Sequence, residues 1–598
     1  MIEHTQEKKI FENLIPLLEM EFILNLSGNK ERSDFIYLSN KGDKIELINW
    51  ENEKKILSSE ISSSLMVLHP NKPIIVFIKD TQGDENFFLY TFNYETKIIK
   101  KMNENPLGSI IELIWLSNDE ILFSGFDETQ YYISKLTVDG RILTIYSTNK
   151  QILNMDYNKN KELLAVAIDR INTKIAIIDL QQMKFVKWLD GNTERTNFPT
   201  INSKGQIAYS VDQQQNDIIV IQNLDSLTIT NKIIVPGNIG NWIFDRDAIQ
   251  WINNELLFVK VVKNAVVSPY IYNLIDKCWI GPLSDLSINM ATVTKSGIIW
   301  CGSKFDKGFT MEFYKNKKVF KIINSESIFD FTYENYWFTS FDNKQIQAWL
   351  VRNPNPQAPL LIYCHGGPTY SITNSVEPFL HALVLGGFTI FAINYRGSDT
   401  FGAEYRNHNI GDMGGGDLLD IIYGTRFIKN LLEIRGPVRI FGESYGAYLT
   451  VLALTKYPYE WLSGVAWGAN LDLIYAYEKA DSHYKSFYEI FLGGNPEEKN
   501  QLYHDRSPIT HISKIKAPTL IIHGANDSRV PLKPILEVIE IAKQHYLPIE
   551  CSIADDGHKT NDARTVVKNI ILSILHLKNK IRNMDNSQNF KIHLNRFF

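Results

Sequence analysis

The first half of the chain alternates short apolar runs with polar turns and shows almost no helical periodicity. Runs rich in β-branched and aromatic residues are separated by turns of Asn, Asp, Gly and Lys as far as about residue 323. Comparable units open at residues 34, 73, 121, 162, 206, 255 and 297, so their spacing lies between 39 and 49 residues. Periods of about 40 to 50 residues are typical of four-stranded propeller blades. The pattern predicts a seven-bladed β-propeller over residues 31–324, with two stacked β-sandwiches as the alternative.

The second half follows a different pattern, in which apolar strands alternate with helical segments. Residues 336–351 have the pattern of a β-hairpin, and strand-like runs such as PLLIYCHGG, VRIFG and PTLIIHG follow it, separated by helical runs. Strands that alternate with helices are typical of an α/β domain with a mainly parallel sheet. The sequence therefore predicts a second domain of this class over residues 325–582.

Two terminal segments belong to neither pattern. Residues 1–30 begin with MIEHTQEKKIFENLIPLLEMEF, which predicts either an amphipathic helix that packs on the α/β domain or a frayed end. Residues 583–598 are mostly polar and are expected to form a tail.

Composition narrows the classes of function and location. A chain of 598 residues is too long for one hydrophobic core, which agrees with two domains. Lys and Arg number 62 against 67 Asp and Glu, without a long run of either sign, which argues against nucleic acid or a membrane as partner. The N-terminus is too charged for a signal peptide. Four cysteines lie far apart without a C-x-x-C motif, which favours a reduced, cytoplasmic protein.

The most informative short motif is a G-x-S-x-G sequence, Gly442-Glu443-Ser444-Tyr445-Gly446. The motif is weak by itself, because three fixed letters recur by chance. Here it lies between the apolar run VRIF and the apolar-periodic run AYLTVLALTKY, which predict a strand and a helix. Glycines around the serine suit a turn that is too tight for Cβ atoms and that exposes the serine Oγ. The context therefore predicts Ser444 as a nucleophile.

An acid and a base follow Ser444 in the order expected for an α/β-hydrolase. Asp527 lies in HGANDSRVP and His558 in DDGH, each after a predicted strand, and ligands gather at the carboxyl ends of such strands. His558 would take the proton of Ser444, and Asp527 would hold its imidazole in the correct tautomer. Asp555 and Asp556 are poorer candidates for the acid because their loop carries the histidine itself. The alternatives are a surface histidine and a turn-forming aspartate.

A third requirement is a pair of backbone donors for an oxyanion. The run His365-Gly366-Gly367-Pro368 follows the first predicted parallel strand, at the position from which one N–H would point to the site. The N–H of Tyr445 is the expected second donor. Cys364 and His365 are interpreted as a core thiol and a side chain that orders the loop.

Taken together, the motifs HGGP, NYRGSDTFG, GDMGGGD, GESYGAYLT, HGANDSRVP and DGH resemble the prolyl oligopeptidase family of serine peptidases, and within it the acylaminoacyl-peptidase-like branch. The resemblance covers about residues 338–577, and the family places a propeller before this domain. It implies a triad of Ser444, Asp527 and His558, with Gly367 and Tyr445 at the oxyanion hole.

The resemblance also implies three residues that bind substrate. Arg529 matches a position that can hold the carbonyl of the substrate residue before P1, and Val530 and Leu473 fall where family members line the P1 pocket. Residues 467–491 depart from the better-known branches. No acidic pair for a free substrate N-terminus is recognised, so dipeptidyl-peptidase action is not assigned.

The expected function is hydrolysis of amide bonds in short peptides through an acyl-enzyme, without metal or cofactor, with the propeller restricting substrate size. One alternative is an esterase or amidase that acts on a peptide-like metabolite, such as an antibiotic or its precursor. A catalytically inactive binding protein is the other. A homo-oligomer is compatible with the sequence. The sequence does not specify which residue the enzyme prefers at P1.

Overall fold

The computed structural model describes residues 2–578, except for 42–43, 50–53, 59–64, 81–85, 128, 171, 190–193, 215, 241–244 and 559–562. The tail expected at 583–598 lies outside the described residues. Within the described part of the chain, no helix is long and apolar enough to span a membrane.

Seven antiparallel sheets follow one another along the first half of the chain, and each is built from consecutive strands. They form the seven blades of the predicted propeller. The strands are, blade by blade, β1 Glu21–Gly28, β2 Phe35–Lys41, β3 Lys44–Asn49 and β4 Lys54–Ser58; β5 Met66–Leu68, β6 Ile74–Lys79, β7 Phe88–Asn93 and β8 Ile98–Lys101; β9 Ser109–Trp115, β10 Glu120–Phe126, β11 Tyr131–Thr137 and β12 Ile142–Thr148; β13 Ile152–Asn158, β14 Leu163–Ile168, β15 Lys174–Asp179 and β16 Lys184–Trp188; β17 Thr196–Ile201, β18 Gln206–Val211, β19 Ile218–Asn223 and β20 Ile229–Ile234; β21 Asn238–Ile239, β22 Ile249–Trp251, β23 Leu256–Lys263, β24 Val266–Asn273 and β25 Cys278–Ile280; β26 Ser287–Thr294, β27 Gly297–Lys304, β28 Lys307–Lys315 and β29 Lys318–Ile323.

The first blade begins earlier than the boundary at residue 31. Strand β1 pairs with β2 along its whole length, so it is the first strand of that blade and not part of a separate N-terminal segment. It also packs against β26 of the last blade, where the N–H of Gly28 donates to Thr292 Oγ1 at 2.9 Å. Packing and a hydrogen bond therefore join the first and last blades. Neither of these two sheets contains a strand from the other end of the propeller.

The second half forms an eight-stranded sheet flanked by helices, which confirms the predicted α/β-hydrolase class. The strand order is β30-β31-β33-β32-β34-β35-β36-β37, and all pairs are parallel except β30 with β31 and β31 with β33. The strands are β30 Thr332–Thr339, β31 Gln345–Arg352, β32 Leu360–Cys364, β33 Thr389–Asn394, β34 Val438–Glu443, β35 Trp461–Trp467, β36 Thr519–Gly524 and β37 Ile549–Ala554. The central strands are buried on both faces, as their continuous apolar runs require.

Helices cover both faces of this sheet, and one of them comes from the start of the chain. Helix α1 packs against α2 and α10, with Ile10, Leu14 and Leu17 buried along one side. The helices are α1 Ile2–Leu18, α2 Pro378–Leu385, α3 Ala403–Asn407, α4 Gly416–Leu431, α5 Tyr445–Lys456, α6 Leu473–Lys479, α7 Ser482–Leu492, α8 Asn500–Arg506, α9 Lys533–His545 and α10 Ala563–Leu577, with a 3₁₀ helix at Pro508–Lys514.

Neutral and ionic contacts join the propeller to the α/β domain. The N–H of Val376 donates to Ser303 Oγ of the last blade at 2.9 Å. On the fifth blade, Asp212 forms an ion pair with Arg406, which lies in helix α3. The interface is thus partly polar, as is usual between domains of one chain.

Candidate active site

Ser444 lies on a sharp turn between strand β34 and helix α5. Its φ of 50° and ψ of −117° are unusual for a residue with a side chain, a strain of the order of 1–3 kcal/mol. The flanking glycines explain how the turn closes: a Cβ on Gly446 would overlap the carbonyl of Cys364, and a Cβ on Gly442 would overlap the carbonyl of Gly446. The G-x-S-x-G pattern is therefore a steric requirement of this turn.

The structure brings together the three residues that the sequence proposes as a triad. His558 Nε2 lies 3.0 Å from Ser444 Oγ, and His558 Nδ1 lies 2.7 Å from Asp527 Oδ2. Burial pushes the pKa of Asp527 upward, but the hydrogen bond and charge of His558 outweigh it, so this pKa lies below its ordinary value. Asp527 is thus held as a carboxylate, which accepts from Nδ1–H and leaves Nε2 to face Ser444.

The loop after β36 holds the carboxylate from its other side. Asp527 Oδ1 accepts the N–H groups of Arg529 and Val530, both at 2.9 Å. Two backbone donors on one oxygen direct the second oxygen towards His558. The acid is therefore oriented before any ligand arrives.

The glycine loop after β32 lies directly beside the serine. A Cβ on Gly366 would lie 3.5 Å from Ser444 Cβ, and Gly367 follows with a φ of 129° that favours glycine. Tyr445 is the first residue of α5, where N–H groups have no acceptor within the helix and the helix dipole favours negative charge. Gly367 thus follows a residue that lies against Ser444, and Tyr445 follows Ser444 in the chain, while their role as oxyanion donors stays a prediction.

His365 orders this glycine loop from inside the protein. Its Nε2 lies 2.9 Å from Ser398 Oγ, and its ring stacks on Tyr395 at 4.3 Å between centroids. Tyr395 OH also donates to the His365 carbonyl at 2.6 Å. Burial lowers the pKa of His365 to about 4, so the ring is neutral near pH 7.

A partly buried carboxyl group precedes the serine, and the sequence gives no sign of its environment. Tyr363 OH donates to Glu443 Oε1 at 3.1 Å, and burial raises the pKa of Glu443 to about 7. Glu377 lies close enough to interact with it, and burial together with Glu443 raises the pKa of Glu377 to about 8. Glu443, the residue before Ser444, and Glu377 thus form an interacting pair of carboxyl groups whose pKa values are raised towards neutral pH.

The three residues expected to bind substrate lie in two different places. Arg529 and Val530 lie two and three residues after the acid, on the same loop, and Arg529 is partly exposed. Leu473 is fully buried in the core of the α/β domain. Asp472 caps helix α6 by accepting from the N–H of Ile474 and of Tyr475, which turns Leu473 inward. Leu473 therefore has no exposed surface in this structure, which gives no support to its assignment to the P1 pocket.

An arginine of the propeller reaches the same region and was missed in the sequence. Arg170 Nη2 donates to Thr369 Oγ1 at 3.2 Å, two residues beyond Gly367, and its guanidinium lies 5.5 Å from the ring centre of Phe487. Burial and the charges of Arg170 and Arg529 lower the pKa of His483 to about 3. No local signal could have revealed this contact, because 199 residues separate Arg170 from Thr369.

This arrangement has the parts needed for nucleophilic acyl transfer. A hydroxyl, an imidazole and a carboxylate form one chain of hydrogen bonds beside backbone donors, the geometry that activates a serine and stabilises an oxyanion. Among the described residues, no group of three or more His, Cys, Asp or Glu side chains is placed to hold a metal ion.

Comparison with known proteins gives one family model and several relatives that match part of the chain. The model of the prolyl oligopeptidase family matches residues 377–577. Dipeptidyl-peptidase 5 of Schizosaccharomyces pombe is 24% identical over 41% of this chain and 38% of its own length. Acylamino-acid-releasing enzyme 1 of Oryza sativa subsp. japonica is 30% identical over 31% of this chain and 25% of its own length. The matches thus span well under half of these relatives.

A solved structure agrees over nearly the whole chain. A puromycin-hydrolyzing peptidase of Mycobacterium tuberculosis superimposes with a TM-score of 0.77 over 93% of this chain and 94% of its own. Its sequence is 14% identical, so this agreement concerns the two-domain fold.

Proposed function

Because residues 377–577 form a prolyl oligopeptidase family domain, we propose that this chain is a serine peptidase that hydrolyses amide bonds of short peptides through an acyl-enzyme. The observation that supports this proposal most strongly is the chain of hydrogen bonds from Ser444 through His558 to Asp527. A merely structural serine would not need a strained backbone, an imidazole at 3.0 Å and a pre-oriented acid together.

In the proposed reaction, Ser444 Oγ attacks the substrate carbonyl while His558 Nε2 accepts the hydroxyl proton. Asp527 keeps the imidazole oriented and stabilises its charged form. The N–H groups of Gly367 and Tyr445 bind the oxyanion. His558 then donates its proton to the leaving amine, which leaves an ester on Ser444. Water, deprotonated by His558, hydrolyses this ester and restores the serine.

Substrate binding is assigned to residues on both sides of the domain interface. Arg529 lies next to the acid, and Arg170 extends from the propeller to the loop that holds Gly367. A guanidinium donates strong hydrogen bonds to a carbonyl oxygen, each worth about 1.5–3 kcal/mol. We assign Arg529 to the carbonyl that precedes P1, with Arg170 as a second donor and Val530 beside them as a wall of the P1 pocket.

The propeller is proposed to limit substrate size. Its residues reach the site at two points, where Arg170 contacts Thr369 and Tyr131 contacts His483. For attack, a substrate carbonyl must come within about 3–3.5 Å of Ser444 Oγ. A short flexible peptide meets this requirement in an enclosed site, whereas a folded protein does not.

We also place the enzyme in the cytoplasm. All four cysteines are free, and two of them are fully buried. A reducing compartment keeps such thiols unpaired. Every proposed catalytic group comes from one chain, so the reaction needs no second subunit, and a homo-oligomer remains compatible with it.

A panel of substrates distinguishes the proposed peptidase from the alternative, an esterase or amidase that acts on a peptide-like metabolite. Matched p-nitroanilides of peptides two to five residues long are compared with p-nitrophenyl esters, and Ser444→Ala serves as the control for contaminating activity. We expect kcat/KM to rise with peptide extension on the anilides. Activity on esters alone, without cleavage of any anilide, would favour the esterase alternative.

A further inference from the structure

Strand β36, which leads to the acid, carries a histidine that takes no part in the proton transfers above. His523 precedes the last residue of this strand and is 1% exposed. It lies close enough to Asp527 and His558 for both to influence its pKa. Since it has almost no surface, it is too deeply buried to bind substrate, and its contacts with the protein must explain its presence.

The hydrogen bonds of His523 define its protonation. Its Nε2 lies 3.2 Å from the carbonyl oxygen of Val530, which only accepts, so Nε2 carries a proton. Its Nδ1 is buried and has no partner among the described residues. A proton there would be a buried, unpaired donor, which is costly. Burial lowers the pKa of His523, which agrees with a neutral ring.

The residue that His523 holds is one of the two that hold the acid. The N–H of Val530 donates to Asp527 Oδ1 at 2.9 Å, and Asp527 Oδ2 lies 2.7 Å from His558 Nδ1. A path of short contacts thus runs from the rigid strand through Val530 to the carboxylate and on to the imidazole. Without the hydrogen bond from His523 Nε2, the carbonyl group of Val530 would lose this connection to strand β36.

We infer that His523 is a positioning residue, which fixes Val530 so that the acid loop presents Asp527 to His558 in the orientation required for proton transfer. This inference rests on the proposed function, because it assigns His523 a role in that reaction. It acts through Asp527 and touches neither the substrate nor Ser444. A misplacement of about 1 Å in such a group can cost about a hundredfold in rate.

Three substitutions separate this role from simple packing. His523→Gln places an amide N–H where Nε2 lies, His523→Asn places one where Nδ1 lies, and His523→Leu removes both donors. We expect His523→Gln to keep kcat within about threefold of the wild type. The other two should lower kcat and the rate of fluorophosphonate labelling at least about tenfold, with KM changed less than about threefold. Thermal midpoints, measured in parallel, report any loss of stability.

The results distinguish this inference from the proposed function. Wild-type protein that neither labels nor turns over peptides refutes the function itself. Active wild type with equal rates in all three variants, or a His523→Gln variant as slow as His523→Leu, overturns the role of His523. Selective ¹⁵N-histidine NMR of the wild type gives a test that needs no variant. A neutral ring protonated at Nε2 is expected at about pH 7.5, above the ordinary histidine pKa of about 6.5, and a ring that is charged at that pH or protonated at Nδ1 overturns the inference.

Discussion

At the scale of single residues, the site depends on geometry imposed before a ligand binds. Ser444 is held in a strained conformation, Asp527 receives two backbone N–H groups, and His558 lies between them at hydrogen-bond distance from both. Such pre-organisation reduces the reorganisation needed during reaction.

Arg529→Ala should weaken the binding of extended peptides while leaving the chemistry intact. Loss of a charge-assisted hydrogen bond of about 1.5–3 kcal/mol lowers kcat/KM about 10- to 150-fold for peptides that extend beyond P1. Hydrolysis of p-nitrophenyl acetate, which has no such carbonyl, is the matched control. Equal losses on both substrates would refute the assignment, and no loss on either would indicate only a surface ion pair of about 0–1 kcal/mol.

Glu443 should make stability depend on pH in a defined direction. Its pKa is raised by burial from 4.5 to about 7, so the folded state binds the proton more tightly than the unfolded state. The resulting stabilisation is complete below about pH 4.5 and is lost as the pH rises through about 7. Glu443→Gln keeps the acceptor for Tyr363 but removes the titration, so its thermal midpoint relative to wild type should rise from about pH 5 to 8.

The control for this measurement is Glu255→Gln, a substitution of an exposed glutamate in the propeller. The change of its midpoint with pH, relative to wild type, is the background with which Glu443→Gln is compared. A change for Glu443→Gln no larger than this background would show that Glu443 ionises in the folded protein as it does in the unfolded chain.

At the scale of elements, the strand-turn-helix around Ser444 is the feature that local sequence describes best. Alternating strands and helices predicted β34 and α5, and the glycines predicted the tight turn, because each depends on neighbouring residues. The order Ser, Asp, His likewise predicted that three strand ends would meet at one edge of the sheet. The distances of 3.0 and 2.7 Å agree with that interpretation.

The differences between sequence and structure at this scale have physical causes. The sequence repeat marks the second strand in the pairing order of each sheet, so it does not reveal β1, which precedes the first such strand. The resemblance places Leu473 by analogy, whereas its burial depends on how α6 packs. Arg170 contacts the other domain, and a contact across 199 residues leaves no pattern in one sequence.

Gly446→Ala should disrupt the serine turn. Its Cβ would overlap the carbonyl oxygens of Cys364 and His365, which belong to a central strand and to the loop after it and have little room to move. We expect a lower thermal midpoint and loss of fluorophosphonate labelling. Gly436→Ala is the control for steric overlap, because no atom lies within 4 Å of its added Cβ. Its φ of 106° strains any side chain, so this control should lower the thermal midpoint but keep normal labelling. Normal labelling of Gly446→Ala would show that the turn adapts.

At the scale of the whole molecule, we propose that the propeller and the α/β domain together form the substrate site. The propeller provides Arg170 and Tyr131 on one side, and the ion pair between Asp212 and Arg406 joins the domains nearby. A partly polar interface can open without exposing a large apolar surface. Domain opening is then a step that can limit turnover in place of chemistry.

This arrangement predicts a limit on substrate length. In a series of peptides that share one scissile site, kcat/KM should fall at least about tenfold as length passes about 30 residues, beyond what an enclosed site accommodates. Cleavage is followed by mass spectrometry, and a folded protein containing the same site serves as the control that should remain intact. Equal rates across the series would mean that the propeller does not restrict access.

The most direct test of the account is to locate the nucleophile. The protein is treated with a fluorophosphonate, digested and analysed by mass spectrometry, with Ser444→Ala treated in parallel. We predict one adduct per chain, on the peptide that contains Ser444, and none in the variant. An adduct on another residue, or an unlabelled wild type that still hydrolyses peptides, would contradict the assignment of Ser444 as the catalytic nucleophile.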